Sequence, residues 1–427
     1  MPLVPPPNPQ SVAPLPSSAG VPLIDMQRQY AALEKELLAA IQRVCSSGRF
    51  VLGPDCLDLE RAVAAYSQTK HAIACASGSD ALLLALMASG VDAGDEVIVP
   101  SYTFFATASA VARLGAKPVF VDIEPDGFNI DPARIEAAVT PATKAVIPVH
   151  LYGQCAEMKP IIEVAKRHGL TVIEDAAQAI GAEYQGRRAG SIGQMGCLSF
   201  YPTKNLGGFG DGGMLTTNDD QLADKLRLLR VHGMQPRYYH QVLGINSRLD
   251  SLQAAVLNVK LPHLNRWTEL RQAHAERYAE LFRSHGLDRV LVLPPTLADR
   301  RHVWNQYVVR VPEGRRDALR THLGQKKIGS EIYYPVPLHN QPCFAYLGVR
   351  PGSLPETDRA AAESMALPIF PELTAGEQAL VVQEIAAFFG AAPAGAGHAL
   401  EGPKFLKRAA AQGKRQSGSG SQPVFKA

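Results

Sequence analysis

Lys204 stands in the run CLSFYPTKNLGGFGDGGM, between an apolar stretch and a cluster of glycines, 29 positions after Asp175. A lysine attacks a carbonyl only as the neutral amine, so a Schiff-base lysine needs a partly desolvated setting. Pyridoxal phosphate also needs a carboxylate on its pyridine nitrogen, which keeps the ring protonated and able to accept electrons from a carbanion. Asp175 closes the apolar run LTVIED, and ligands of open α/β sheets bind at the carboxyl ends of strands. The lysine and the aspartate together read as the two covalent and electrostatic handles of that cofactor.

A phosphate needs a third handle. ASGSDALLLALMASG reads as a tight Ser/Gly turn entering a nearly all-apolar helix, whose first N–H groups and positive dipole suit an anion. Gly78 and Ser79 are the expected contacts; helix capping by the same Ser and Asp residues is the alternative reading of this turn. Five glycines between Gly207 and Gly213 allow the backbone beside the lysine to approach a ligand closely, and the GGML that follows reads as a strand.

The elements that must position these residues are legible as alternation. HAIACA, EVIVP, KPVFVDI, KAVIPVHLYG and LTVIED are short apolar runs separated by segments of helical spacing such as MKPIIEVAKRHG. Such runs mark strands buried on both faces, so a mostly parallel sheet covered by helices is expected between about 70 and 265. Beyond Trp267, a helix through ELRQAHAERYAELFRSHG, strands in WNQYVVRV and GSEIYYPVP and a closing helix in GEQALVVQEIAAFFG predict a smaller α+β domain. The expected domains are a large one over 21–265 and a small one over 266–390. The Pro/Ser-rich residues 1–20 and the small-residue tail 391–427 are expected to lie outside the fold as disordered or flexible extensions.

Composition excludes other classes. A formal charge of +3 on 427 residues leaves no footprint for nucleic acid, and no run approaches a membrane span. The six cysteines form no CxxC pair and the histidines no HExxH, so no metal site is expected and a reduced, cytoplasmic protein is the simplest reading.

Six motifs in series, SGSDAL, PSYTFFATA, VIPVHLYGQ, EDAAQAIGA, SFYPTKNLGGFGDGG and GINSRLDSLQAA, resemble the DegT/DnrJ/EryC1/StrS family of sugar aminotransferases in order and spacing, over roughly residues 22–390. The resemblance implies a fold-type-I pyridoxal phosphate enzyme with a seven-stranded type of sheet. It also implies a homodimer with shared active sites, L-glutamate as amino donor and a nucleotide-linked keto sugar as acceptor. By the same resemblance Lys204 bonds the cofactor and then acts as general base, Asp175 pairs with the ring nitrogen, Gln178 meets the ring hydroxyl and Phe104 stacks on the ring. Ser199 joins Gly78 and Ser79 on the phosphate, and Asn246 reaches the partner's phosphate. Phe104 as core and Asn246 as a helix cap are the competing readings.

Tyr333, Tyr334, His339 and Arg248 are the expected substrate contacts, with His150 and His232 as further candidates for the cleft and Arg237 and Lys260 as nearby cations. The GDGG after the lysine resembles enzymes that aminate carbon 3 of the sugar. Amination at carbon 4, a cyclitol ketone as acceptor, and a non-catalytic regulatory or interaction protein are the alternatives. A dehydratase of the same fold would carry histidine where Lys204 stands.

Overall fold

The computed structural model describes residues 20–391. The extensions expected at 1–20 and 391–427 fall, apart from Gly20 and Ala391, outside the described residues.

Seven strands form the central sheet. In chain order they are β1 (His71–Cys75), β2 (Glu96–Pro100), β3 (Lys117–Val121), β4 (Thr143–Val146), β5 (Thr171–Asp175), β6 (Met195–Ser199) and β7 (Gly213–Thr217). Across the sheet they run β1-β7-β6-β5-β4-β2-β3, and only β7 is antiparallel to its neighbours. The interior of the sheet is apolar on both faces, as the continuous runs require: Ile73, Val97, Val99, Ile147, Ile173 and Leu215 pack under one helical layer, while Ala72, Ile98, Val146, Val172, Leu198 and Met214 face the other. The Gly78–Ala88 helix is buried along almost its whole length, so its lack of a polar face is explained by its place between sheet and neighbouring helices.

A separate core gathers around the Leu264–Ser284 helix. Tyr278 and Phe282 stack near Tyr307 of β8 (Tyr307–Arg310), which pairs antiparallel with β9 (Ser364–Leu367), and the Ala375–Phe389 helix closes the cluster behind a Thr374/Glu377 capping box. Val21 belongs to this core. It exchanges backbone hydrogen bonds with Lys327 and Gly329, so the chain at Val21 packs on the C-terminal layer. The segment GSEIYYPVP does not form the expected strand: one bridge joins Glu331 to Ala366, and Pro335 and Pro337 remove the donors a longer ladder would need.

Candidate active site

Several segments converge at the carboxyl edge of the sheet. Gly213 opens the reversed strand β7 opposite both Cys75 at the end of β1 and Ser199 at the end of β6. Only glycine fits there, because a Cβ would lie 2.3 Å from the Ser77 carbonyl carbon and 2.7 Å from Gly78 N. A Cβ at Gly78 would in turn meet Ser199 Cβ at 2.7 Å. The close approach brings Ser199 against the amino terminus of the Gly78–Ala88 helix. Ser77 caps that helix, accepting from Asp80 N on its hydroxyl at 3.1 Å and from Ala81 N on its carbonyl at 3.0 Å. The N–H groups of Gly78 and Ser79 come ahead of the first intrahelical bond and point, with the helix dipole, to where an anion would sit.

Asp175 ends β5 in the middle of the sheet and is buried. Burial pushes its carboxyl above the ordinary range. The Thr107 hydroxyl at 2.8 Å, the Ala177 N–H at 3.2 Å and the charge of Lys204 pull it back. Lys204 is half-buried in the turn after β6, with its N–H bonded to the Tyr201 carbonyl at 2.9 Å. Burial lowers its ammonium pKa to about 8, against the opposing pull of Asp175. At neutral pH roughly a tenth of such a side chain is the free amine, far more than for an ordinary lysine.

Gln178 lies buried one turn beyond Asp175. Its Oε1 accepts from Tyr152 N at 2.6 Å and its Nε2 donates to the Tyr334 hydroxyl at 3.3 Å, which leaves one amide hydrogen to give. Tyr334 and Tyr333 are brought to the site by Tyr102, whose hydroxyl donates to the Tyr333 carbonyl at 2.7 Å and accepts from Tyr334 N at 2.9 Å. Phe104 is 54% exposed with its ring 5.9 Å from that of Tyr334, so it is not a core residue of the single chain.

Other expected residues are placed elsewhere or used differently. His339 is buried, with Nδ1 2.7 Å from Ser101 Oγ and Nε2 3.4 Å from Asp358; both nitrogens face protein, and the ring anchors its loop to the end of β2 instead of lining a cleft. His150 is likewise internal, accepting from Ala156 N at 3.1 Å and donating from Nε2 to Glu174 at 2.8 Å. Lys260 is buried rather than free to meet a diphosphate. Asn246 does not cap the Ser251–Lys260 helix, a role taken by Asp250 through Gln253 N at 2.8 Å. It is exposed, and with half-buried Arg248 it lies on the stretch that joins the exposed arm containing His232, Arg237, Tyr238 and Leu243 to that helix.

Sequence reasoning missed Thr107 and the Glu174 site. Thr107 sits three residues after Phe104 in the same motif, in the first turn of the Ala106–Arg113 helix, which was the available signal. Glu174 accepts four hydrogen bonds, from His150 and from the N–H groups of Gly190, Ile192 and Gly193, and so ties the loop before β6 to the strand that carries Asp175. Its side chain projects to the opposite face of β5 from Asp175.

A desolvated lysine, a buried carboxylate and an anion-ready helix terminus thus share one edge of a mostly parallel sheet. The model of the DegT/DnrJ/EryC1/StrS aminotransferase family matches residues 31–386. The chain belongs to this family. As a family member it is an aminotransferase by class, and its seven-stranded α/β architecture is shared with solved relatives. DesV of Streptomyces venezuelae, solved in complex with a ketimine intermediate, has a TM-score of 0.84 and is 44% identical, covering 87% of this chain and 99% of its own. A pleiotropic regulatory protein of Geobacillus stearothermophilus is 54% identical over 86% of this chain and 98% of its own length. The UDP-N-acetyl-3-dehydro-alpha-D-glucosamine 3-aminotransferase of Acidithiobacillus ferrooxidans is 46% identical over 83% and 94%. Within the family's motifs, Lys204, Asp175, Gln178 and Ser199 all stand at the carboxyl edge of this chain's sheet.

Proposed function

We propose that this aminotransferase uses pyridoxal phosphate to move an amino group from L-glutamate to a nucleotide-linked 3-keto sugar, working as a homodimer whose active sites are shared. The observation that carries the reading is the half-buried Lys204, with its amine pKa brought down to about 8, in the field of a buried carboxylate at the same sheet edge. When bound, pyridoxal phosphate carries the amino group between donor and acceptor and takes up the electron pair left when the substrate loses a proton.

The residues present fit that group. Lys204 Nζ would be the amine that bonds its aldehyde and the base that moves a proton at the substrate carbon. Asp175, fixed by Thr107 and Ala177, would hold a ring nitrogen protonated. Gly78, Ser79 and Ser199 supply the donors for its phosphate, and Gln178 has an amide hydrogen for the ring hydroxyl. Phe104, exposed in the single chain, offers a ring face beside Tyr334.

Dimerisation is supported by large apolar side chains that the single chain leaves exposed: Tyr201 beside the lysine turn, Phe104, and Leu243 at 93% exposure on the arm before Asn246. The 3-position is supported by the GDGG after Lys204 and by the relative named as a 3-aminotransferase of a UDP-linked 3-keto sugar. Adding pyridoxal phosphate, reducing with borohydride and mapping the labelled peptide tests the assignment. Label on Lys204 supports it, and label on another lysine or on none contradicts it.

A second reading has one observation in its favour, the relative named as a pleiotropic regulatory protein. A regulatory chain could hold the cofactor without turnover. Glutamate-dependent release of 2-oxoglutarate in a single turnover separates the two.

A further inference from the structure

Lys260 is a lysine in an unusual place. It ends the Ser251–Lys260 helix, yet it is only 1% exposed, and among the described residues its ammonium bonds a backbone carbonyl and no carboxylate. Burying an ammonium without a carboxylate partner is costly, so a buried lysine in such a setting is kept for the bond it makes. That bond is specific: Nζ donates to the Gly207 carbonyl at 2.6 Å, and the ammonium lies 5.6 Å from the ring centroid of Phe209. Gly207 and Phe209 belong to the turn that follows Lys204.

The same helix grips this turn a second time. Gln253, seven residues earlier and therefore on the same helical face, accepts from Phe209 N on Oε1 at 2.7 Å. Its amide packs where side chains would otherwise be, since a Cβ at Gly208 would come 2.8 Å from Oε1 and one at Gly210 3.2 Å from Nε2. Gly208 N is held in turn by the Phe200 carbonyl at 2.8 Å. The glycine turn therefore has its carbonyl and amide groups read by one helix face, and its glycines permit the approach.

We propose that Lys260 and Gln253 are positioning residues for Lys204: they fix the backbone of the glycine turn, and through it the reach and direction of the lysine amine. This rests on the reading of Lys204 as the cofactor-bonding lysine. A displacement of about 1 Å at a reacting group is enough to cost up to a hundredfold in rate.

The test compares Lys260→Met, which removes the donor, with Lys260→Arg, which keeps one. Met26, Tyr30, Leu37 and Phe209 line a cleft of about 390 Å³ beside Lys260, giving a guanidinium room. The readouts are the rate at which added pyridoxal phosphate becomes borohydride-trappable on Lys204, kcat and KM for glutamate, circular dichroism and elution volume. The expected result is a roughly tenfold or greater slowing of trapping and fall in kcat for Lys260→Met, with KM and elution volume unchanged and most of the loss restored in Lys260→Arg. Parental trapping rates in folded Lys260→Met, or equal losses in the Met and Arg variants, would overturn the proposal. If Lys260→Met does not fold, Gln253→Leu carries the same trapping test, and a parental rate there is equally contradictory. Failure of the parent protein itself to trap the cofactor would instead reject the reading of Lys204.

Discussion

The hydroxyl of Thr107 donates to Oδ2 of Asp175 at 2.8 Å, joining the first turn of the Ala106–Arg113 helix to the last residue of the central strand β5. This bond opposes the upward push that burial gives the Asp175 carboxyl. It also sets the direction in which the carboxylate can face a ring nitrogen.

Removing the hydroxyl in Thr107→Val should raise the Asp175 pKa further. With Asp175 in its proposed role the carboxylate must be ionised, so the acid limb of the kcat/KM profile should move to higher pH. Asp175→Asn, which cannot keep a ring nitrogen protonated, should lose roughly a hundredfold or more in kcat while still binding cofactor. An unchanged acid limb in Thr107→Val, together with near-parental rates in Asp175→Asn, would mean that another acid serves the ring.

Lys204→Ala should abolish both the borohydride-trappable cofactor and transamination, and leave the far-ultraviolet circular dichroism unchanged. The side chain is half-buried in a turn whose backbone is held by its own amides and by Gln253 and Lys260, so its loss removes chemistry and little packing. Because burial has brought the amine pKa down to about 8, the rate of cofactor attachment should rise with pH through the neutral range and level off above that value.

Glu174→Leu should cost about 3 kcal/mol of stability, read as a drop in the thermal or urea midpoint. The variant would strand the buried N–H groups of Gly190 and Ile192 and the buried Nε2 donor of His150, together with the part-buried N–H of Gly193. Glu174→Gln keeps an acceptor and should lose less.

The sheet was largely legible because its strands are buried on both faces and read as plain apolar runs between helical segments. HAIACA, EVIVP, KPVFVDI, KAVIPV and LTVIED became β1 to β5, and the GGML after the glycine turn became β7. β6 was harder to see: MGCLS has no β-branched residue, and its Gly196 is required because a Cβ would lie 2.3 Å from Gly190 Cα. Asp175 and Gly78 could be singled out since they stand at the end of an apolar run and the start of a helix, Lys204 by its glycine-rich turn and its pairing with Asp175, and Ser199 only through the family resemblance. His339, His150 and Lys260 could not be sorted, because a buried anchoring role and a ligand role use the same residue types. Only the tertiary partners Ser101, Glu174 and Gly207 tell them apart.

Leu243→Asp should convert the proposed dimer to a monomer at micromolar concentration and reduce activity by at least tenfold, since a charge on this 93% exposed side chain would have to be buried at the interface. Elution volume with light scattering checks the first part and a transamination assay the second. A variant that stays dimeric and active would remove this arm from the interface.

The central claim is met most directly by the absorbance spectrum of the purified protein with pyridoxal phosphate, recorded before and after L-glutamate and again with nucleotide-linked 3-keto and 4-keto sugars. The account predicts a visible band from lysine-bound cofactor that bleaches with glutamate and returns with a 3-keto sugar only. No band in the presence of added cofactor, or a band indifferent to glutamate, would contradict it.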